Sequence, residues 1–564
     1  MTRSETPVRG EPRWGAGRRG KPFPQAVAKW VGWGALAAAL LGCATTPVPT
    51  ITPLSPPPSS TPPPDPSPPA REIVVALPTL PESLNPLYDR SWPARVLSGL
   101  FLSGLWRLDS RLEVHPDLAS EVPTKTDGTI SEDGRVLTVH LRPEATWSDG
   151  QPITADDLLF TYEMATSEAN GVASRFPYAD FVEEIVSLDE HTVQVRFARP
   201  FAPWPSTLFP YVLPRHVLES VFQQAGTLDR AVWNRQPTVG SGPFVFASRE
   251  GDDLVFEANP RYWQGRPPID RIRVRAIPDP QVRWEAMIAG EVDLAPLLWP
   301  ESVGAVGGSA EVRLVKGPSG LVETLFLNLD PRTGHPALQQ EEVRRAIRAA
   351  LDRNRLCQAL APGQADPAAS LWAGTVFEDP GLGSRPPAEA EALLEQAGWR
   401  DEDGDGVRER DGAELVLRYA VPASGVNRAS VQTAITEMLA QVGIGLLTAN
   451  LEGGWDLAEW AAPPTGYPDP DDPRWLCAEA RPGGLNRAGV CDEELDRLLY
   501  AQAETPDLDE RAALFYALEG LNRERAWWVP LCQIDDLWLV RDDLSGLHPW
   551  REGPFWNVAE WITE

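Results

Sequence analysis

The stretch Val136-Leu-Thr-Val-His-Leu-Arg-Pro-Glu-Ala-Thr-Trp-Ser-Asp-Gly150, continued by Gln151-Pro-Ile-Thr-Ala-Asp-Asp157, is the most characteristic part of the sequence. Apolar and polar side chains alternate over Leu137–Leu141, which predicts a half-buried strand. Ser148-Asp-Gly150 predicts a turn. Thr154 predicts the N-cap of a helix. Strand, turn and helix in close succession indicate a mixed α/β protein.

The same mixture continues on both sides of this stretch. Periodicity predicts strands at Glu72–Leu77, Glu183–Leu188, Thr192–Phe197, Leu254–Ala258, Ile272–Ile277, Leu415–Ala420 and Ile444–Ala449. It predicts helices at Glu341–Leu351, Pro387–Ala397 and Ala429–Leu439. The predicted fold class is therefore α/β, without internal repeats.

The amino-terminal 43 residues predict an export signal. A region rich in arginine and lysine precedes the apolar run Trp30–Leu41, which suits the core of a signal peptide. The run ends in Leu40-Leu-Gly-Cys43, which resembles the lipobox cut by the bacterial lipoprotein signal peptidase. That resemblance implies that Cys43 becomes the mature amino terminus and carries a diacylglycerol. The alternative is an ordinary signal peptide that a cysteine follows by chance.

Residues 44–71 are mostly proline, threonine and serine. Such a segment buries little apolar area and adopts extended conformations, so it predicts a disordered, semi-rigid tether. The roughly 490 residues after it exceed what one core usually holds, which predicts two or three lobes.

The chain is strongly acidic, with 51 basic and 80 acidic side chains and a formal net charge of −29. Binding to nucleic acid depends on a basic footprint, so this balance argues against a nucleic-acid partner. It does not identify a ligand, because net charge reports mainly solubility and steering.

Several phrases in order resemble family 5 of the solute-binding proteins of ABC importers, which includes dipeptide, oligopeptide and nickel receptors. The most characteristic is the stretch quoted first. The others are Asn85-Pro-Leu87, Gly240-Ser-Gly-Pro-Phe244, Asn259-Pro-Arg-Tyr-Trp263, Ala289-Gly-Glu-Val-Asp293, Phe326-Leu-Asn328, Val343-Arg-Arg-Ala346 and Ala390–Trp399. The resemblance covers about residues 72–555.

The resemblance implies a two-lobed fold of the periplasmic-binding-protein type, class II and cluster C, with an extra subdomain. Lobe I would comprise residues 72–109, 236–316 and 531–564, and lobe II residues 317–530. Residues 110–235 would form the extra subdomain. A ligand would lie between lobes that close by a hinge motion, and the closed form would be presented to an ABC permease in the membrane.

The ligand itself is left open by the sequence. In peptide-binding members of the family an aspartate pairs with the α-amine of the peptide, and Gly466 occupies that position here. A buried ammonium group needs an opposite charge, so Asp469, Asp471 or Glu459 are candidate replacements. Trp460 and Tyr467 are candidates for the pocket wall, with a purely structural role as the alternative.

The segment Asp401-Glu-Asp-Gly-Asp-Gly-Val-Arg-Glu409 matches most of a calcium-binding loop. Asp401, Asp403 and Asp405 stand at the first, third and fifth positions, and Glu409 is a further oxygen donor. The twelfth position, which should be glutamate, is Gly412. A hydrated loop is therefore the favoured interpretation over a Ca²⁺ site, and no other cofactor is predicted.

Four cysteines follow Cys43. Cys477 and Cys491 enclose a short glycine-rich loop, which makes them the favoured disulfide pair in an oxidising compartment. The sequence gives no basis for pairing Cys357 with Cys532.

The predicted function is capture of a peptide or similar small solute outside the cytoplasmic membrane, without catalysis. The chain has no G-x-S-x-G, H-E-x-x-H or P-loop motif. An oligosaccharide ligand, a sensory lipoprotein of the same fold, and more remotely a secreted acidic hydrolase are the alternatives.

Overall fold

The computed structural model describes residues 71–297, 311–379, 388–420, 428–452, 454–462, 475–480, 486–550 and 553–563. Within these ranges, each strand and helix predicted from the sequence is present, with bounds shifted by at most two residues. No helix in the described part of the chain is long and apolar enough to cross a membrane.

The strands form one large sheet and several small ones. In chain order they are β1 Glu72–Leu77, β2 Trp106–Leu108, β3 Val114–Pro116, β4 Val136–His140, β5 Val182–Asp189, β6 Thr192–Phe197, β7 Phe244–Glu250, β8 Asp253–Ala258, β9 Arg271–Ala276, β10 Leu294–Pro296, β11 Val312–Leu327, β12 Ala365–Pro367, β13 Glu409–Arg410, β14 Ala413–Glu414, β15 Val416–Ala420, β16 Gly445–Ala449, β17 Leu457–Ala462, β18 Trp528–Arg541, β19 Leu544–Ser545 and β20 Ile562–Thr563.

The helices cover the faces of the sheets. In chain order they are α1 Trp92–Phe101, α2 Ala155–Thr166, α3 Tyr178–Phe181, α4 Trp204–Thr207, α5 Arg215–Ala225, α6 Pro280–Ile288, α7 Glu341–Ala350, α8 Arg353–Leu360, α9 Ala388–Gln396, α10 Arg428–Gln441, α11 Glu493–Ala503 and α12 Leu508–Arg525. Short 3-10 helices lie at Val232–Asn234, Pro336–Gln339, Cys477–Glu479 and Phe555–Glu560.

The large sheet is organised by its two longest strands. Its order is β16-β15-β17-β11-β18-β10-β1-β9-β8-β7, with β12 paired to β18 off this path. The antiparallel pair β11 and β18 therefore joins a first strand group, β1 and β7–β10, to a second strand group, β15–β17. These two strands contain residues 317 and 531, where the family resemblance places the passages between lobes. The domain boundaries themselves stay predictions.

Neither β11 nor β18 was predicted from the sequence. The second half of β11, Val322–Leu327, is buried throughout. A strand that is covered on both faces lacks the alternation by which half-buried strands are recognised. Its length and position emerge only from its pairing with β18 on one side and β17 on the other.

Two apolar cores lie on opposite faces of the second strand group. Leu325, Leu327 and Leu457 belong to the core beneath α7–α10, whereas the neighbouring Phe326 and Ala458 belong to the core beneath α11 and α12. The alternation along β11 and β17 thus divides their side chains between two layers of helices.

Residues 136–157 form one compact unit around a small sheet. Strand β4 pairs with β6, and β6 with β5, all antiparallel. Thr154 and Asp157 form the predicted capping box at the start of α2. Trp147, which lies between strand and helix, is fully buried and donates its Nε1 hydrogen to Asp157 Oδ2 at 3.3 Å.

Candidate functional site

The direction of the strands places the candidate site where β11 and β18 pass between the two strand groups. β1 is parallel to β9 and β10, and β10 is antiparallel to β18, so β1, β9 and β10 run in the direction of β11, whereas β8 runs the opposite way. β17 is antiparallel to β11 and parallel to β15. The carboxyl ends of β1, β9 and β10 therefore face those of β15 and β17. In open α/β sheets, ligands bind outside the carboxyl ends of the strands.

The passage between the groups is marked by an irregularity in β11. The register against β18 shifts between Pro318 and Leu321, which inserts extra residues in the manner of a β-bulge and bends the strand. Gly320 there has a φ of +67°, a conformation that favours glycine. A Cβ atom on Gly317 would overlap the carbonyl oxygen of Pro549. Gly317, for lack of space, and Gly320, for its backbone conformation, are therefore both positions where this part of the strand favours glycine.

Two adjacent carboxyl groups on β18 lie beside this passage. Asp535 pairs with Lys316, with Oδ2 and Nζ 3.3 Å apart. Asp536 accepts a hydrogen bond from Trp538 Nε1 at 2.9 Å. Burial raises the pKa of Asp536 to about 6, although the Trp538 hydrogen bond opposes that change. The passage thus carries one paired carboxylate and one that titrates near neutrality.

A large open cavity lies beyond the carboxyl end of β1. Its volume is about 1010 Å³, and its described lining comes from residues 79–83, 88–93 and 229–236. Glu82, Asp89 and Asp229 bring negative charge to the wall, and Arg230 and Arg235 bring positive charge. The wall therefore carries charges of both signs beside apolar side chains, which suits a ligand with both charged and apolar groups.

A continuous row of aromatic rings faces α11 and α12 on the second strand group. Trp460 stacks on Phe326 with centroids 3.9 Å apart and planes 13° apart. Phe326 is in turn stacked on Trp475 at 5.7 Å, and Trp475 lies 4.8 Å from Trp528. Trp455 meets Trp460 edge to face at 5.9 Å. Trp460 and Trp475, the half-buried members, lie on either side of residues 463–474 in the sequence.

The opposite face of the same strands holds a buried ionic cluster. Arg428 Nη1 lies 2.5 Å from Glu323 Oε1 and 3.7 Å from Glu459 Oε1. Tyr419 donates its hydroxyl hydrogen to Glu459 Oε2 at 2.5 Å. Glu323 and Glu459 are 1% and 0% exposed. Two carboxyl groups thus share one guanidinium group in an apolar surrounding.

Burial dominates the protonation of this cluster. Burial and the neighbouring Glu459 together raise the pKa of Glu323 to about 8, against the lowering effect of Arg428. Burial also raises the pKa of Glu459. One arginine cannot neutralise two carboxylates in a low-dielectric site, so one of the pair holds a proton at neutral pH. A lone glutamate in the apolar run Val322–Leu327 is the sequence signal for this cluster, and it was missed.

The structure corrects the suggestion that Glu459 replaces the missing aspartate. Glu459 and Trp460 are neighbours on β17 and point to opposite faces. Glu459 is enclosed with Tyr419 and Arg428 and is therefore not on the aromatic face. Tyr467, Asp469, Asp471 and Gly466 lie outside the described residues, as does Cys43, so their predicted roles stay predictions.

The acidic loop brings its four carboxylates together. Oxygen atoms of Asp401, Asp403, Asp405 and Glu409 lie within 4.8 Å of one another. Three of the four residues are exposed, and Asp401 already accepts hydrogen bonds from the backbone of Gly404 and Gly406. The four residues fit a weak cation site. Ca²⁺ binding stays a prediction.

Two disulfides join elements of the second half of the chain. Cys477 is bonded to Cys491, the pair that the sequence favours. Cys357 on α8 is bonded to Cys532 on β18, and this pair had no basis in the sequence. The two residues are 175 positions apart, so only the tertiary structure brings them together.

Comparisons with known proteins agree on one family. Residues 113–473 match the model of the bacterial extracellular solute-binding proteins, family 5 (middle). Protein XP55 of Streptomyces lividans is 27% identical over 504 residues, which is 86% of this chain and 87% of that one. A probable di/tripeptide-binding protein of Pseudomonas aeruginosa is 26% identical over 471 residues, or 79% of this chain and 87% of its own.

A solved structure shows the same fold. An ABC transporter substrate-binding protein from Sinorhizobium meliloti superimposes with a TM-score of 0.72 at 22% sequence identity. The match covers 87% of this chain and 100% of that one.

Proposed function

Because the chain belongs to family 5 of the bacterial extracellular solute-binding proteins, we propose that it captures a peptide or a similar small solute between two lobes. It then delivers this ligand to the permease of an ABC importer. The observation that carries the proposal is the sheet topology, in which the carboxyl ends of β1, β9 and β10 face those of β15 and β17 along β11 and β18.

Closure around the ligand follows from how few strands connect the groups. Among the described residues, β11 and β18 are the only strands of the large sheet that pass from the first strand group to the second, and β11 bends between Pro318 and Leu321. A change of backbone angles there would move one group relative to the other, as in a hinge. Ligand affinity then depends on the difference between the open and closed states.

A peptide is the ligand that the relatives favour, since one of them carries the name of a di/tripeptide-binding protein. The mixed charges of the cavity wall suit a zwitterion. Asp469 and Asp471 remain the candidate partners for its amine in place of Gly466. Trp460 and Tyr467 are candidates for apolar contact with its side chains.

Capture without conversion is the proposed mechanism, because the family description is one of solute binding. The protein would act on the outer side of the membrane. Cys43 would carry its lipid anchor, and residues 44–71 would hold the folded part away from the membrane surface.

Native mass spectrometry of the full chain, purified from its own host in mild detergent without refolding, tests the proposal. The expected result is a set of bound masses that fragment as peptides of varied sequence. Lipid on Cys43 is covalent and survives denaturation, so it is told apart from bound ligand by a denatured control sample.

Other outcomes would change the proposal in defined ways. A single saccharide would overturn the peptide assignment and leave solute capture in place. A bound molecule that the protein converts to a product over hours would overturn capture without conversion. A strain without the neighbouring permease genes could still respond to the ligand that the protein binds. That outcome would favour a sensory role.

A further inference from the structure

A contact outside the large sheet also joins the two halves of the protein. The backbone N–H of Ala202, in the segment after β6, donates to the carbonyl oxygen of Ala503 at 3.0 Å. Trp204 Nε1 donates to the carbonyl oxygen of Pro506, in the turn between α11 and α12, at 3.0 Å. Arg511 Nη1 on α12 donates to the carbonyl oxygen of Ala202 at 3.2 Å. Together these residues form the side contact.

Each half of the side contact is fixed to a different apolar core. Trp204 belongs to the core that also holds β1 and β7–β9 of the first strand group, and it meets Trp106 on β2 edge to face at 4.6 Å. On the other half, the guanidinium group of Arg511 lies 5.7 Å from the ring of Phe515. Phe515 belongs to the core that holds Phe326 of β11. The side contact therefore links the two bodies that the proposed closure would move.

The side contact is packed as closely as a protein core. Trp204 and Arg511 are both fully buried. Arg511 also donates from Nε and Nη2 to Gln502 Oε1 at 3.2 and 2.8 Å, so its planar group is held in one orientation. Separating the halves would expose an indole ring to water and break several buried hydrogen bonds at once. A contact built in this way favours staying together while the protein moves elsewhere.

A hairpin extends the same contact along the molecule. Strands β2 and β3 carry Trp106 in the core of the first strand group and Leu112, near the hairpin tip, in the core beneath α11 and α12. The carbonyl oxygen of Arg111 accepts a hydrogen bond from the backbone N–H of Val376 at 2.9 Å. The hairpin therefore bridges the two cores beside the side contact.

The series of contacts reaches the bend in β11. Trp550 belongs to the same core as Leu112, and its neighbour Pro549 is the residue against whose carbonyl oxygen Gly317 packs. Gly317 directly precedes the register shift between Pro318 and Leu321. Contacts between the two bodies thus continue from the bend, through the hairpin, to the side contact.

We propose that the side contact of Ala202 and Trp204 with the turn after Ala503 is a permanent pivot, which forms the far end of one hinge with the bend in β11. This inference rests on the proposed closure of two lobes around a solute. Two regions that stay together fix the axis of a rotation, so the lobes separate only on the side away from the contact. A latch, in contrast, would separate each time the protein opens.

Hydrogen–deuterium exchange of the solute-free chain distinguishes a pivot from a latch. The chain carries Cys43→Ala, so that no lipid anchor contributes, and exhaustive dialysis removes bound solute. The reporter is the amide of Ala202, and Pro200 and Pro203 leave few other amides in its fragment. For a pivot, this amide should exchange within about tenfold of the rate of the amides of β6; a latch that opens should make it about 100-fold faster or more.

A crosslink tests the pivot from the opposite direction. Ala202→Cys combined with Ala503→Cys places two thiols where a backbone hydrogen bond holds the Cα atoms within about 7 Å, near the limit of a disulfide. Cys357–Cys532 and Cys477–Cys491 are already bonded, so the new pair is the only one free to react. Small-angle X-ray scattering gives the radius of gyration of the dialysed chain, alone and with tryptic peptides of casein. The reduced double variant is the matched control.

The two measurements separate the outcomes. An oxidised variant with the same two radii as the reduced control, together with a slowly exchanging Ala202 amide, supports the pivot. An oxidised variant that keeps the compact radius without peptides, or a rapidly exchanging Ala202 amide, overturns the pivot and leaves the proposed function in place. A parent chain whose radius the peptides do not change counts against the proposed closure, whereas the exchange of the Ala202 amide still decides on the pivot. The exchange measurement also decides alone if the disulfide does not form.

Discussion

Glu459 and Trp460 are consecutive residues of β17 that lie in two different environments. Trp460 stacks on Phe326 among half-buried aromatic rings, whereas Glu459 is fully buried and accepts a hydrogen bond from Tyr419. Because successive side chains of a strand point to opposite faces of the sheet, these two neighbours lie on an aromatic face and an ionic face.

Trp460 should contribute to stability through its stacking on Phe326. We expect Trp460→Ala to lower the free energy of unfolding by about 2–4 kcal/mol, because it removes a large ring from an aromatic row. Trp460→Phe keeps a stacking partner and should recover most of that loss. Urea unfolding measures both. An alanine variant as stable as the parent would show that the stacking carries no net stability.

The buried pair should make stability depend on pH. The pKa of Glu323 is about 8 in the folded protein against an ordinary value of 4.5. The folded state therefore binds the proton of Glu323 more tightly than the unfolded state does. The contribution of this proton to the free energy of unfolding is complete below pH 4.5 and is lost as the pH rises through 8.

Glu323→Gln should remove that dependence and be more stable than the parent at pH 9, by an amount on the order of a few kcal/mol. Urea unfolding at pH 5, 7 and 9 measures it. Glu494→Gln, at an exposed pair with Arg497, is the control and should follow the parent. Parallel pH profiles for Glu323→Gln and the parent would contradict the raised pKa.

The two disulfides should differ in their effect on stability. Cys357–Cys532 closes a separation of 175 residues and Cys477–Cys491 one of 14. In the chain-entropy account, the longer loop contributes about 5 kcal/mol and the shorter about 3 kcal/mol. Paired alanine substitutions at each bridge, compared by urea unfolding, test the order. The reverse order would mean that native packing outweighs the entropy of the unfolded chain.

Cys43 should decide where the protein resides in the cell. We expect the parent to sediment with membranes and Cys43→Ala to appear in the soluble extracytoplasmic fraction or to remain uncleaved, because the thioether lipid can no longer form. Immunoblots of cell fractions measure this. A Cys43→Ser variant that still incorporates labelled fatty acid would rule out this cysteine as the site of lipidation.

The acidic loop should bind Ca²⁺ weakly at best. Its carboxylates already accept backbone hydrogen bonds, and Gly412 supplies no bidentate ligand at the twelfth position. Dissociation constants of about 10⁻⁴–10⁻³ M or weaker are expected. Calorimetric titration of CaCl₂ into the chelator-treated protein measures the affinity, with Asp403→Asn as control. Micromolar binding that Asp403→Asn abolishes would contradict the hydrated-loop interpretation.

The family, the mixed α/β class and the elements with local periodicity could be predicted from the sequence alone. The half-buried strand at Leu137–Leu141 and the capping box at Thr154 are read correctly from neighbours in the chain, because alternation and capping involve residues only a few positions apart. The order of family phrases adds the two-lobed fold.

The tertiary structure decided what depends on distant residues. β11 and β18 are covered on both faces over part of their length and carry no clear alternation, so only their mutual pairing reveals them. Cys357 and Cys532 meet because α8 packs against β18. Glu459 became a buried partner of Arg428 rather than a ligand contact because strand alternation turns it away from Trp460. Each of these outcomes depends on contacts between residues far apart in the chain, which local sequence patterns do not encode.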